Sequence, residues 1–515
     1  MDDAAAARRA GRNTIGDAIG RAADRFRDRV ALRFDDRVWS YRALDDVTTG
    51  MAASLLASGL QPGDRVVAFG RNSDHYLLCW IACCKAGLIH VPANYALAPP
   101  ELSYIVKQSG ARLLLHDPAL AATANAAGAP VIQTFDTIRT SGTPAGEAPA
   151  EVGEDVRDGD VAQILYTSGT TGSPKGAMLT HRALLTEYMS CIIACEHTED
   201  DRVLAALPLY HTAQMHVFAM PQLMAGAEIM LIESPVPALC LEVIERHRLT
   251  SFFAPPTVWI NLLRHPDFAT RDLGSLRKAY YGAAIMPVPV LRELRERLPG
   301  IRAYNCYGQT EIAPLATVLR PEEHDARPAS VGRPVLNVQT RVVDPHMRDV
   351  APGENGEIVH RSPQLMLGYW DNPVETAKAF EGGWFHSGDV GTFDDAGYLY
   401  VVDRTKDIIN TGGVQVASRE VEEALFTHPA VSEVAVIAVP DPKWIEAIAA
   451  VIVLREGASA TEAELIGHAR PLLAAFKLPK RVFFAESLPK NTAGKLLKRE
   501  LRLRYSGTES AVMGL

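Results

Sequence analysis

The chain has 515 residues, of which 47% are hydrophobic and 22% charged, with a formal net charge of −9. That composition is globular and long enough for more than one domain and a large core. The acidic balance argues against nonspecific nucleic-acid binding, and no apolar run is long enough for a transmembrane helix.

The N-terminal stretch lacks the apolar region of a secretory signal, and its aspartates and helical period predict a surface helix. Seven cysteines without metal-type spacing read as reduced thiols of a cytoplasmic protein, and Cys79, Cys83 and Cys84 read as core residues. Residues 30–120 alternate short apolar strands ("RVVAFG", "IHVPAN", "ARLLLHD") with helical patterns, a rhythm that predicts a parallel, doubly wound sheet. Residues 141–159 have the Gly/Pro-rich composition of a surface linker. The rhythm resumes in "VAQILYT", "RVLAAL", "AEIMLI", "SFFAPP" and "KAYYGAA", then gives way from about 335 to hairpins of a small β-rich unit. After 404 a compact α+β pattern follows, with a helix at 418–427, strands at 432–440 and 447–455, and a last helix at 494–505. The expected fold is therefore α/β, with a large N-terminal domain (1–403) of doubly wound sheets plus a β-rich subdomain. A small α+β C-terminal domain (404–515) completes it.

The stretch "YTSGTTGSPKGAMLTH", 166–181, carries the strongest chemical signal. Thr167, Ser168, Gly169, Thr170, Thr171 and Gly172 offer hydroxyls and backbone amides around a single cation, Lys175. Successive amides in a tight turn make an anion nest, and small residues let a polyanion come close to the backbone. The loop follows a strand, and "HRALLTEYM" continues as a helix, so position as well as composition suits phosphate. It is not a G-x-x-x-x-G-K-[ST] loop. Taken alone it also reads as a plain Gly/Ser turn.

The loop resembles the phosphate loop of the adenylate-forming superfamily: acyl-CoA synthetases, aryl-CoA ligases, luciferases and amino-acid adenylation domains. Further stretches resemble that superfamily's signatures in its own order: 85–111, "YYGAAIMP" (280–287), "YNCYGQTE" (304–311), "GWFHSGDVG" (383–391), "VDRTKDIINTGG" (402–413) and "PKNTAGKLLKREL" (489–501). The resemblance covers roughly residues 25–505 and is most like the bacterial fatty-acyl-CoA ligases. It implies ATP-dependent activation of a carboxylic acid to acyl-AMP, then transfer to CoA, with Mg²⁺ as cofactor.

Joining a carboxylate to the α-phosphate of ATP brings two anions together, so the site needs positive charge. Lys175 suits the departing phosphates, Glu311 is a hard ligand for Mg²⁺, and the Thr310 hydroxyl can donate to the α-phosphate. Read singly, Lys175 and Lys495 are also solvated cations and Glu311 a helix-start carboxylate. Gly282, Ala283 and Ala284 could form one flat wall of an adenine slot and Tyr307 the other, beside Gly308 and Gln309. The two oxygens of Asp389 match two ribose hydroxyls.

The resemblance assigns Asp389 that role with Arg404 nearby. It brings Lys495 to the acid and α-phosphate, and puts a hinge at Lys406 that makes the C-terminal domain mobile. It lays Gly412 and Gly413 along the pantetheine tunnel. Core packing for Tyr307, and plain turns for Asp389 and the glycines, remain open. Asn410, Ser418 and Ile445 depart from a lysine, a proline and a glycine frequent in the family.

The acyl segment "LPLYHTAQMHVFAMPQ" (207–222) has no Asp, Glu, Lys or Arg. That disfavours an amino acid or a dicarboxylate. His211 resembles a residue beside the acyl carboxylate, while Met215, Val217, Phe218 and Met220 suit an apolar tail or the core. The expected acid is a medium- or long-chain fatty acid. A cinnamate- or benzoate-type acid, or a carrier protein as acceptor, are the alternatives. Partners are small molecules (the acid, ATP, CoA) rather than nucleic acid, and a homodimer is left open.

Overall fold

The computed structural model describes residues 10–139, 152–167, 174–284, 286–405, 407–411, 414–441, 444–491 and 496–506. Four sheets organise them. Six strands run in the order Val131–Thr134, Leu113–His116, Arg65–Phe69, Ile89–Ala93, Val161–Thr167 and Lys175–Thr180. Nine more form a second large sheet, with Arg202–Ala205, Ser251–Phe253, Lys278–Gly282 and Arg302–Gly308 parallel at its centre. The inner strands Ile89–Ala93 and Leu113–His116 are buried along their whole length. This is why they read as largely apolar runs, interrupted only by the buried His90 and His116, as strands covered on both faces do.

The helices Ile15–Phe26, Tyr41–Ala57 and Asp74–Ala86 pack into one core with strands of both large sheets, around Trp80, Tyr76 and Tyr188. All seven cysteines are free and buried. The four strands Gln339–Val343, Gly356–Arg361, Phe385–Phe393 and Leu399–Arg404 form the expected antiparallel β-rich unit. After Arg404 the chain builds a separate sheet from Ile409–Thr411, Val414–Val416, Val431–Asp441, Ile445–Leu454 and Arg481–Phe484, with its own apolar cluster. No helix among the described residues is long and apolar enough to cross a membrane.

Three expectations need correction. The helix expected over "HRALLTEYM" is present as His181–Ala194, but the phosphate loop does not run directly into it. The loop joins two antiparallel strands, Val161–Thr167 and Lys175–Thr180, and the helix His181–Ala194 starts only afterwards, with Thr180 as its N-cap. The helix therefore starts one strand beyond the loop, and the case for an anion there rests on the loop's composition and on Lys175. The surface reading of 141–159 needs correction at one place: 141–151 lie outside the described residues, and Glu154, Asp155, Arg157 and Gly159 are exposed as expected, but the backbone around them is not loose. Val156 is buried, and a Cβ on Gly153 would lie 2.0 Å from the Lys85 carbonyl oxygen, so this backbone is packed tightly. The described last helix is Lys498–Tyr505, shorter than the apolar pattern suggested.

Candidate active site

The candidate residues gather at the carboxyl ends of the parallel strands, where α/β sheets open crevices for ligands. Thr167 ends one strand, Gly282 a second and Gly308 a third. Ser168, Gly169, Thr170, Thr171 and Gly172 lie outside the described residues.

Glu311 stands on a single 3-10 turn, Thr310–Ile312, pinned from both sides. Gln309 N–H donates to the Pro314 carbonyl at 2.9 Å, and Met366 N–H donates to the Glu311 carbonyl at 2.8 Å. Gly308 permits the first contact, because a Cβ there would lie 1.8 Å from the same Pro314 oxygen. The carboxylate itself accepts on Oε1 from the Thr167 hydroxyl (3.3 Å) and the Tyr369 hydroxyl (3.1 Å). Thr310 Oγ1 meets Thr212 Oγ1 at 3.4 Å, which joins this turn to the acyl segment. Lys175 pairs with Glu375 and stands over the Tyr369 ring, 5.1 Å from its centroid. Neither Tyr369 nor Glu375 was visible as a candidate in the sequence. Their stretch "GYWDNPVETAKAF" shows only a helix start, and the partners of both are remote in the chain.

On the nucleoside side, Gly282 is required by close approach: a Cβ there would lie 2.2 Å from the Cys306 carbonyl oxygen. Ala283 (φ +61°) and Ala284 are exposed beyond it. Asp389 is almost wholly buried, and its two oxygens face different partners. The Tyr307 hydroxyl donates to Oδ2 at 2.7 Å, and Arg404 Nε lies 3.2 Å from Oδ1. Burial, and then the charge of Asp389, push the Tyr307 phenol well above its ordinary pKa, so it serves as a fixed donor. Tyr307 is thus tied to Asp389 as well as available as a wall.

The acyl segment folds as a π-helical turn, Ala213–Ala219, running into the helix Met220–Ala225. π-Turns are often found at functional sites. Met215 and Phe218 are core residues here. Met215 belongs to the cluster between the sheets, and Phe218 stacks on Phe253 at 4.3 Å. His216 is structural: it joins Tyr188 (2.7 Å) and Gln163 (2.9 Å), and Gln163 reaches His90 at 3.2 Å. Burial lowers the pKa values of both His90 and His216 to about 3, so both are neutral. His211 is half-buried, against Tyr210. Gln214, which the sequence did not single out, is buried. Its Oε1 accepts from Leu207 N–H at 3.2 Å, while its amide nitrogen has no partner among the described residues.

Lys406, Gly412, Gly413 and Lys495 lie outside the described residues. Side chains on the two sides of Lys406 face different partners, although the Asp407 and Ile408 N–H groups still donate back to the Arg404 carbonyl, at 2.8 and 3.1 Å. Thr405 donates through N and Oγ1 to the Gly388 carbonyl of the β-rich unit, at 3.0 and 3.1 Å, whereas Asp407 pairs with Arg502 of the last helix. Ser418, where proline is frequent in the family, uses the amide that proline lacks: its N–H and Oγ both donate to Asp403 at 2.7 Å. Ile445 adopts φ +71° at the position where glycine is frequent. Asn410 is exposed, and its N–H donates to Glu446 at 2.7 Å.

Residues 19–370 match the family model for AMP-binding enzymes, and residues 420–495 match the model for the AMP-binding enzyme C-terminal domain. The chain belongs to the AMP-binding enzymes. A feruloyl-CoA synthase of Amycolatopsis sp is 38% identical over 480 residues, covering 92% of this chain and 96% of that one. A long-chain-fatty-acid–CoA ligase of Mycobacterium tuberculosis is 34% identical over 489 residues, covering 91% and 93%. Among solved structures, ATP-bound MatB from Rhodopseudomonas palustris superposes with a TM-score of 0.87 at 31% identity, covering 96% and 99%. This AMP-binding enzyme is an acid–thiol ligase of the AMP-forming kind.

Proposed function

We propose that the enzyme activates an aromatic acid bearing a ring oxygen, of the arylpropenoate type, as its acyl-adenylate and transfers the acyl group to CoA. The observation that carries this choice over a fatty acid is Gln214. Its buried amide nitrogen lacks an acceptor, two residues along the acyl segment from the Thr212–Thr310 contact. Leaving such a donor unpaired costs about 1–3 kcal/mol. A hydroxyl or ether oxygen on the acid would satisfy it, and an alkyl tail would not. The feruloyl-CoA synthase relative supports the same direction. The uncharged segment and the fatty-acid ligase relative favour the aliphatic alternative.

In the first half-reaction a carboxylate oxygen attacks the α-phosphorus of ATP, and pyrophosphate departs. Lys175 draws the departing phosphates, and the Thr310 hydroxyl donates to the α-phosphate. Asp389, oriented by Tyr307 and Arg404, accepts from the ribose hydroxyls, with Gly282, Ala283 and Ala284 as a wall for adenine. Glu311 and Thr167 offer hard oxygen ligands beside the phosphate loop. They fit Mg²⁺, which takes one or two carboxylates together with phosphate oxygens. When bound, that ion shares the phosphate charge.

Lys495 supplies the second cation by family resemblance. In the second half-reaction the CoA thiolate attacks the acyl carbonyl carbon and AMP leaves. We place the hinge for this exchange at Lys406 and the domain boundary at 403/404. The pairing of Thr405 with Gly388 and of Asp407 with Arg502 favours both, while the Ser418–Asp403 bonds are the contacts a domain swing would have to break.

The test is Gln214→Leu, assayed with ferulic acid and octanoic acid. Specificity (kcat/KM) for ferulic acid should fall roughly 5- to 150-fold while that for octanoic acid holds or rises. Equal losses on both acids would remove Gln214 from substrate selection.

A further inference from the structure

Glu375 has no role in the chemistry described so far, yet it holds the cation at the end of the phosphate loop. It sits in the first turn of the short helix Pro373–Ala379. Two contacts fix that turn. The Asn372 side chain accepts from Glu375 N–H at 3.2 Å, and Tyr369 N–H donates to Thr376 Oγ1 at 2.9 Å. One carboxylate oxygen, Oε2, pairs with Lys175, and the other, Oε1, lies 2.7 Å from the Lys378 ammonium. The Tyr369 ring lies under the Lys175 ammonium while its hydroxyl holds Glu311. A single short segment, 369–378, therefore grips both the cation assigned to the phosphates and the carboxylate assigned to Mg²⁺.

We infer that Glu375 is a positioning residue that competes with the phosphates of ATP and of pyrophosphate for the Lys175 ammonium. The inference rests on Lys175 being the cation of the phosphate site. To reach a triphosphate, Lys175 must leave Glu375. Lys378 makes that exchange inexpensive, because the carboxylate it leaves behind keeps one ammonium and is not stranded. The Lys175 and Lys378 ammoniums hold the Glu375 carboxyl down at about 2, so the competitor stays ionised through the neutral range. The same competition operates on the product. Once pyrophosphate has formed, Glu375 draws Lys175 back and loosens its hold. The device thus weakens ATP binding modestly in exchange for easier product release.

Both partners remain partly exposed, at 19% and 26% of their side-chain surface, so the effect is that of a screened ion pair, roughly two- to fivefold in affinity. Calorimetric titration of the full-length enzyme with α,β-methylene-ATP and with pyrophosphate, in MgCl₂, tests it without needing the acid. Glu375→Gln should tighten both ligands two- to fivefold. Lys378→Gln, at an exposed position, should leave Glu375 to Lys175 alone and weaken both by a similar factor. Lys175→Ala should weaken both at least tenfold and abolish the effect of Glu375→Gln in the double variant. Unchanged or weaker binding in Glu375→Gln, with Lys175→Ala behaving as stated, would overturn the competition alone. Unchanged binding in Lys175→Ala would overturn the assignment of Lys175 and the inference with it.

Discussion

Replacing Gly308 with alanine probes the turn that carries Thr310 and Glu311. The added Cβ would lie 1.8 Å from the Pro314 carbonyl oxygen and 2.9 Å from the Ala316 nitrogen. Real Cβ contacts rarely fall below 3.0 Å, so the backbone must open by 3.0 − 1.8, about 1.2 Å. Both neighbours are backbone atoms, so no side-chain rotation relieves the clash. Pro314 O also accepts the Gln309 N–H, and the opening therefore breaks the bond that sets the Thr310–Ile312 turn. Overpacking of this kind costs about 1–3 kcal/mol of stability. Displacing catalytic groups by about 1 Å costs on the order of 100-fold in rate.

The assay is acid-dependent pyrophosphate release alongside thermal unfolding, with Gly467→Ala as control. Gly467 lies in the helix Glu462–Ala469, where a Cβ meets nothing within 4 Å. Gly308→Ala should lose roughly 100-fold in pyrophosphate release and unfold a few degrees lower. Gly467→Ala should keep its activity and be slightly stabilised, as alanine in a helix usually is. Pyrophosphate release within twofold of the parent in Gly308→Ala would refute the claim that this contact positions Thr310 and Glu311.

Tyr307→Phe removes a donor from the nearly buried Asp389, and KM for ATP should rise roughly 5- to 30-fold; an unchanged KM would detach Tyr307 from nucleotide binding. Ile445→Gly should raise the unfolding midpoint of the C-terminal domain by a few degrees. A β-branched residue at φ +71° carries about 1–3 kcal/mol of strain that glycine relieves, and a lower midpoint would contradict this. His90 and His216 resist protonation until about pH 3 in the fold but accept a proton near 6.5 when unfolded. Their contribution to stability is therefore full above 6.5 and lost as pH falls from 6.5 toward 3. Midpoints measured against pH should follow that fall, and His216→Gln should flatten it.

What the sequence made legible followed from local pattern. Strands buried on both faces, such as Ile89–Ala93 and Leu113–His116, show as apolar runs. The helix over "HRALLTEYM" shows as a helical pattern, and the structure adds that Thr180 caps it with its hydroxyl. Contacts between distant segments were not legible. The stretch "KGAMLTH" has no strand alternation strong enough to announce a hairpin with Val161–Thr167, so the loop read as a strand-to-helix turn. Gly308 read as one letter of a motif, and only the fold brings it against the Pro314 carbonyl. Tyr369 and Glu375 escaped notice because their partners, Glu311 and Lys175, lie 58 and 200 residues away. Gln214 was overlooked because a glutamine amid methionines and valines carries no charge. Its burial gives the unpaired amide its weight.

A competition between ferulic acid and octanoic acid at equal concentration, with ATP, Mg²⁺ and CoA, tests the central claim most directly. The CoA products are separated by chromatography, and AMP and pyrophosphate are measured in the same reaction. The expected result is feruloyl-CoA in clear excess, with one AMP and one pyrophosphate formed per thioester. Predominance of octanoyl-CoA would contradict the aromatic acid while leaving adenylation intact, and thioester formed with ADP and phosphate would contradict the adenylate itself.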